Sequence, residues 1–253
     1  MRIGESVSKG FAVAKKSTVL VLLLFVFGFL FSLLNLFLVP SASDAAQAPS
    51  PALIAVAGVF IFITIYFQAG SMAFVRDLVK TGSANLGNFN AGGGKYYLRL
   101  LMLGLAVSLI IGVFVLLAAL TVSLLQSLPV VSVPLAILFA ALGIYFVVML
   151  FLSPYAAVVD EMGVKASIKL SMKLVKKNIL TLLGISVVMI LIGFGIGLVL
   201  GAILAGVSFV IKAEMASQVV FALLSSLVNA FLGVFVTAAF MSFYLSLADR
   251  NNN

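Results

Sequence analysis

The sequence predicts an all-α, polytopic integral membrane protein with six transmembrane helices and amphipathic helices on the cytoplasmic membrane surface. Two observations predict this class. Apolar residues make up 64% of the 253 residues and charged residues only 9%, whereas a soluble domain is about half apolar and about a quarter charged. Apolar runs of about 20 residues or more, the length that crosses a bilayer, recur along the chain. We therefore expect a single membrane domain over residues 1–253, with spans at about 17–39, 52–75, 96–125, 130–159, 179–211 and 215–247.

Local signals mark where several of these spans begin and end. Lys15 and Lys16 precede the first apolar run, and Pro40 follows it, where a proline stops a helix. Pro129 lies in the short uncharged turn between the third and fourth runs, and Pro154 lies near the far end of the fourth. We expect Pro154 to kink or end that helix, because proline lacks the N–H that continues the hydrogen-bond ladder.

The longest polar interruption is a basic amphipathic segment at about 162–178. Its first three lysines are four residues apart and share one helical face, to which a fourth returns. Its apolar residues follow the 3.6-residue period on another face. Such a helix beside apolar spans is typical of the membrane surface, where it either binds anionic lipid headgroups or a partner, or only sets the orientation of the chain. The lysines are Lys165, Lys169, Lys173, Lys176 and Lys177, and the apolar residues are Val164, Ile168, Met172 and Val175.

The basic residues are distributed unevenly between the two sides of the predicted topology. With six spans and the amino terminus inside, all but one of the 15 lysine and arginine residues fall in inside segments, and only Lys212 falls outside. Because cytoplasmic segments are enriched in these residues, we expect a multi-pass protein of the cell membrane with both termini in the cytoplasm. The net charge of +8 does not indicate nucleic-acid binding, since the basic residues lie at span ends rather than on a soluble face.

The basic segment resembles the beginning of the chain. When the sequence is shifted by 161 positions, Ser6 aligns with Ser167 and Lys16 aligns with Lys177. Residues 83–99 are a candidate for a degenerate third copy. Two interpretations stay open at this point: three repeats of a surface helix plus a helical hairpin, or a chance similarity between basic amphipathic helices.

A run of residues around the end of the fourth span carries a family resemblance. It reads Phe151-Leu152-Ser153-Pro154-Tyr155-Ala156, then Val159-Asp160-Glu161-Met162-Gly163, then Ala166, Ser171 and Lys176-Lys177-Asn178. This order resembles the membrane domain found beside glycerophosphodiester phosphodiesterases and related standalone prokaryotic membrane families of unknown function. The resemblance implies a helical membrane unit. It assigns no catalytic residue, because we expect the spans to leave no room for a phosphodiesterase domain.

The residue types present exclude several kinds of catalysis. The chain contains neither histidine nor cysteine, which excludes imidazole and thiol catalysis and zinc sites built from these residues. Gly92-Gly93-Gly94-Lys95 is not a phosphate-binding loop, because Tyr96 occupies the Ser/Thr position and no strand precedes it. We expect no enzymatic activity, no cofactor and no metal. The acids at span ends should cap helices and pair with arginines rather than share a metal ion; they are Asp77, Asp160, Glu161 and Asp249.

Polar and small residues inside the spans are the remaining candidates. The amides either line a solute path or form interhelical hydrogen bonds; they are Asn35, Gln68 and Asn229. Small residues four apart share a face in two spans, which lets helix backbones approach closely. We expect these faces to pack spans together, with self-association, or a hinge in the fifth span, as alternatives. They are Gly193, Gly197 and Gly201 in the fifth span, and Gly104, Ser108 and Gly112 in the third.

Two functions are compatible with this pattern. The leading hypothesis is a non-enzymatic membrane protein, a scaffold or accessory subunit that contacts membrane-complex partners, a second copy of itself, or membrane lipids, anionic ones in particular. It rests on the absence of charge within the spans, which also argues against a proton-coupled transporter. The alternative is a transporter or pore for a small neutral or amphipathic solute or lipid, favoured by the long, glycine-interrupted fifth span and the repeats. A polar cavity beside Asn229 would favour the alternative.

Overall fold

The computed structural model describes residues 3–38, 51–211 and 214–252, and the regular elements in these ranges are all helices. Six of them are long and apolar enough to cross a membrane, which confirms the predicted fold class. The predicted stop at Pro40 and the isolated basic residue Lys212 lie outside the described residues. The helices are α1 (Ile3–Lys16), α2 (Thr18–Leu38), α3 (Pro51–Thr81), α4 (Leu86–Leu124), α5 (Pro129–Leu150), α6 (Ser153–Val159), α7 (Val164–Val210) and α8 (Glu214–Asn252).

The chain forms two compact units. The first contains Met1–Gly94 and Leu180–Asn253, and the second contains Lys95–Ile179. Both boundaries fall within helices, because α4 passes from the first unit to the second and α7 passes back. In the first unit, α8 packs against α1, α2 and α3.

The predicted basic segment is the first part of α7. The helix begins at Val164 and is interrupted at Asn178, whose backbone leaves the helical region with φ −130° and ψ 26°. The Asn178 side-chain amide donates to the carbonyl of Leu174 at 3.0 Å. The surface helix and the fifth span are therefore two helical segments that meet at Asn178, where the prediction ends one and begins the next.

The beginning of the chain has the same construction. Ser17 separates α1 from α2, and its hydroxyl donates to the carbonyl of Val13 at 2.7 Å. The 161-residue shift that aligns the two segments places Ser17 on Asn178 and Val13 on Leu174. Three buried positions coincide under this shift, which favours a repeat over chance similarity, although Leu174 is buried and its counterpart Val13 is only half-buried; the coinciding residues are Ser6, Gly10 and Ala14 in α1, and Ser167, Ser171 and Val175 in α7.

The residues before the third span are helical, although they are rich in glycine and asparagine. Asn85 and Asn88 cap the start of α4 reciprocally: each backbone N–H donates to the other's side-chain oxygen at 3.1 Å, as in a capping box. Asn88 also donates to Asp77 at 2.8 Å. Gly82, with φ +79°, allows the chain to turn from α3 into this cap. Unlike the chain at Ser17 and at Asn178, α4 continues into its span without an interruption, so the third copy stays a prediction.

Candidate functional site

The five lysines of the basic segment lie on the exposed face of the first part of α7. Lys165, Lys169, Lys173, Lys176 and Lys177 are all exposed, as the helical spacing predicts. The opposite face is buried, but its centre differs from the prediction. Val164, Ile168 and Met172 are only half-buried, whereas Ser167, Ser171, Leu174 and Val175 are buried.

The buried serine at the centre of that face completes broken backbone hydrogen bonds. Helix α5 ends at Leu150, and Pro154 provides no N–H for the Leu150 carbonyl. The Ser153 hydroxyl donates to that carbonyl instead. The Ser171 hydroxyl donates to the Met149 carbonyl at 2.7 Å and accepts from the Leu152 N–H at 3.2 Å. The helix break predicted at Pro154 is thus confirmed. Through Ser171, the basic helix is hydrogen-bonded to the backbone at this break.

The loop that enters the basic helix is held from α4. Lys95 pairs with the Glu161 carboxylate at 2.7 Å, and the Tyr96 hydroxyl donates to the same oxygen at 2.8 Å. Arg99 donates to the Glu161 main-chain carbonyl at 2.7 Å. Glu161 has φ +55°, a conformation that non-glycine residues adopt only when surrounding contacts hold it. The basic helix is therefore fixed at its start by Glu161 and at its centre by Ser171.

The three intramembrane amides lie in different surroundings. Asn35 donates to the carbonyl of Phe31 at 2.9 Å and lines a groove of about 520 Å³ between α2, α7 and α8. Gln68 and Asn229 are exposed, and neither lines this groove. The groove carries five hydroxyl or amide side chains beside apolar ones; the polar residues are Ser32, Asn35, Ser217, Gln218 and Ser225.

The small-residue faces are open within the described part of the chain. A Cβ built at Gly193, Gly197 or Gly201 would meet no atom within 4 Å, and the same holds for Gly104 and Gly112. Ser108 is exposed. The tight packing between spans expected at these glycines is therefore not formed among the described residues, where each of these glycines faces open space. Self-association through them stays a prediction.

Close packing at glycines occurs instead in α1 and near the start of α4, in segments that also carry basic residues. A Cβ at Gly92 would overlap the Cβ of Ala73, and one at Gly93 would lie 2.7 Å from the Tyr66 ring. In α1, a Cβ at Gly10 would lie 2.7–2.9 Å from backbone and Cβ atoms of Ala239. The glycine run before Lys95 thus allows α4 to approach α3 closely.

The described residues also bear on metal binding. No three acidic side chains in the described ranges come close enough together to hold a metal ion. Asp77 receives hydrogen bonds from Arg76 at 2.7 Å and from Asn88 at 2.8 Å, so its two oxygens serve the junction between α3 and α4. The side chain of Asp249 lies outside the described residues.

The chain was compared with protein families, curated proteins and solved structures. Residues 1–247 match the model of a family described as a domain of unknown function, DUF7847. No curated protein and no solved structure matches. The match is compatible with the expected family of unknown function and carries no link to glycerophosphodiester phosphodiesterases.

Proposed function

We propose that this chain, which belongs to the DUF7847 family, is a non-enzymatic scaffold or accessory protein of the cell membrane that holds anionic lipid headgroups. The observation that carries the proposal is the exposed five-lysine face, formed by Lys165, Lys169, Lys173, Lys176 and Lys177. Each lysine near an anionic surface contributes about 1 kcal/mol, so the face can supply a few kcal/mol in total.

The contacts that hold the basic helix in place support lipid binding as the role of its lysine face. A topology signal requires only the presence of basic residues near a span end. Here the helix that carries them is held by Glu161 at its start and by Ser171 at its centre. A fixed row of charges loses less conformational entropy on binding than charges on a mobile segment.

The proposal includes an orientation. The amino terminus, the basic helix and the carboxyl terminus lie in the cytoplasm, where the leaflet is rich in anionic lipids. Only one of the 15 basic residues, Lys212, falls on the outside in this arrangement. The orientation therefore brings the lysine face against the surface that it fits electrostatically.

Replacement of three lysines tests the proposal. Changing Lys165, Lys169 and Lys173 together to Gln should reduce the acidic lipid that co-purifies in mild detergent. The measurement is the amount of each lipid class per protein, determined by mass spectrometry. The loss should be largest at low salt, because attraction between charges at a surface is screened beyond about 8–10 Å at physiological ionic strength.

The matched control changes the same three lysines to Arg, which keeps the charge. That variant should retain wild-type lipid content, and both variants should keep the wild-type melting temperature because the side chains are exposed. Equal acidic lipid in the Gln variant and the wild type at low salt would reduce the lysine face to an orientation signal.

A second candidate function is transport of a small amphipathic solute or lipid. The groove beside Asn35 favours it, since the described residues that line this groove combine hydroxyl and amide groups with apolar side chains and include no charged one. Such a lining suits a neutral headgroup with an attached chain. Asn229, where a polar cavity would favour transport most directly, is exposed outside the groove. Solute flux into vesicles that contain only this protein separates the two functions.

A further inference from the structure

An apolar groove of about 500 Å³ lies between the surface helix α1 and the two segments of α7 and α8 that lead away from it. All of its walls belong to the first compact unit. Each wall presents residues one helical turn apart: Ile3, Val7 and Phe11 from α1; Val188, Ile192 and Ile196 from α7; and Phe231 and Phe235 from α8. This volume is within the range of about 300–1,000 Å³ that is usual for ligand pockets.

The groove exists because α1 is braced at two points. Near its start, a Cβ at Gly184 of α7 would lie 2.8 Å from Ile3 Cδ1. One turn beyond Phe235, Gly10 of α1 packs directly on Ala239 of α8. From these two contacts α7 and α8 continue along their apolar spans, so the groove runs from the surface helix toward the hydrocarbon region.

Charge at the mouth of the groove identifies the kind of occupant. The Lys15 Nζ lies 4.8 Å from the centre of the Phe11 ring, and that ring forms part of the groove wall. The ring also contacts Phe231 and Phe235 edge-on. Among its described charged residues α1 carries Lys9, Lys15 and Lys16 against the single acid Glu5. Among the described residues, no acidic side chain lines the groove, so these residues give it apolar walls and an electropositive mouth beside Lys15.

We infer that the groove binds one anionic phospholipid of the surrounding membrane, with an acyl chain between α7 and α8 and the phosphate beside Lys15. The apolar walls match the chain, and the ammonium group at the mouth matches the phosphate. This site is separate from the five-lysine face, which lies on the first part of α7 in the other unit, so either site can fail without the other.

The chain contains no tryptophan, so a single introduced tryptophan reports on one place. We would place it in the groove with Phe231→Trp, and on the exposed surface of α7 at a similar depth with Phe194→Trp, whose native side chain is 64% exposed. Each variant is reconstituted in phosphatidylcholine vesicles with increasing fractions of bromine-labelled phosphatidylglycerol or bromine-labelled phosphatidylcholine. The measurement is fluorescence quenching by the brominated chains.

In the Phe231→Trp protein, anionic brominated lipid should reach half-maximal quenching at about a five-fold lower fraction than neutral brominated lipid. That factor corresponds to the contribution of one lysine near an anionic headgroup. In the Phe194→Trp protein the two lipids should quench equally. Adding Lys15→Gln to Phe231→Trp should remove the five-fold preference, whereas adding Lys169→Gln, on the five-lysine face, should leave it unchanged.

Phe11→Trp provides a second groove reporter that keeps an aromatic ring beside Lys15, and it should show the same preference. Two results would overturn the inference. One is equal quenching by both lipids at the groove reporters. The other is quenching at these reporters below that of the Phe194→Trp control, which would show that a protein segment or a second copy of the chain covers the groove.

Discussion

At the scale of single residues, two hydroxyl groups determine how the chain tolerates Pro154. The proline leaves the Leu150 carbonyl without its helical donor, and the bend beside it frees the Met149 carbonyl and the Leu152 N–H for Ser171. Unsatisfied backbone groups are costly in the absence of water. Ser153 and Ser171 therefore make a break possible inside an apolar span.

Ser171→Ala should lower the free energy of unfolding by about 1–3 kcal/mol, the cost of leaving buried polar groups without partners. Ser186→Ala is the matched control. The Ser186 hydroxyl donates to the carbonyl four residues back, that of Leu182, at 2.9 Å, within a continuous helix whose ladder does not depend on it. Thermal unfolding in detergent should show a clear destabilisation only for Ser171→Ala. Equal melting of the two variants would contradict this role.

Sequence reasoning could predict the break but not the residue that repairs it. Pro154 carries its own signal, since a proline interrupts a helix wherever it lies. The five lysines are also predictable from the sequence, because only an exposed helix face accommodates five charges. The role of Ser171 is not predictable in this way, because a serine in an apolar helix usually hydrogen-bonds to the backbone of its own helix. Its role depends on a carbonyl 22 residues earlier in the chain, and spacing within one helix contains no information about that contact.

At the scale of helices, the start of α4 shows local preference overruled by packing. Glycine destabilises a helix interior by about 0.5–1 kcal/mol relative to alanine, so the composition before Lys95 argues against a helix. The segment is helical because Asn85 and Asn88 cap it and because Gly92 and Gly93 let it approach α3. Only a partner helix explains this use of glycine, which a single sequence does not identify.

Gly92 and Gly94 offer a matched pair of substitutions. A Cβ at Gly92 would overlap Ala73, whereas one at Gly94 would meet nothing within 4 Å. Gly92→Ala should therefore destabilise the protein by about 1–3 kcal/mol through overpacking. Gly94→Ala should stabilise it by up to about 1 kcal/mol through helix propensity. Thermal unfolding of both variants measures the difference, and a stabilising Gly92→Ala would show that α3 and α4 can separate without cost.

At the scale of the whole molecule, the repeat was only suggested by sequence and becomes better founded in three dimensions. Aligned lysines can arise by chance in any two basic helices. Ser17 and Asn178 are unrelated in type, yet each interrupts a helix at the aligned position and bonds the carbonyl four residues back. The small-residue faces, in contrast, receive no support from the structure. Gly193 and Gly197 have the spacing for close helix packing, but a Cβ at either position would meet no atom within 4 Å. The spacing of residues along a helix predicts which of them share a face, but it does not predict which helix packs against that face.

The orientation of the six spans can be tested because the chain has no cysteine, so a single introduced cysteine is the only labelling site. The positions must be exposed, which excludes Ser171 and allows Ser83, Ser127 and Lys173. An impermeant thiol reagent added to intact cells should label Ser127→Cys alone, because this turn follows an odd number of spans from a cytoplasmic amino terminus. Ser83→Cys and Lys173→Cys should react only after the membrane is permeabilised, which also controls for their accessibility. Labelling of Lys173→Cys from outside would place the five lysines away from the anionic leaflet and overturn both the orientation and its electrostatic basis.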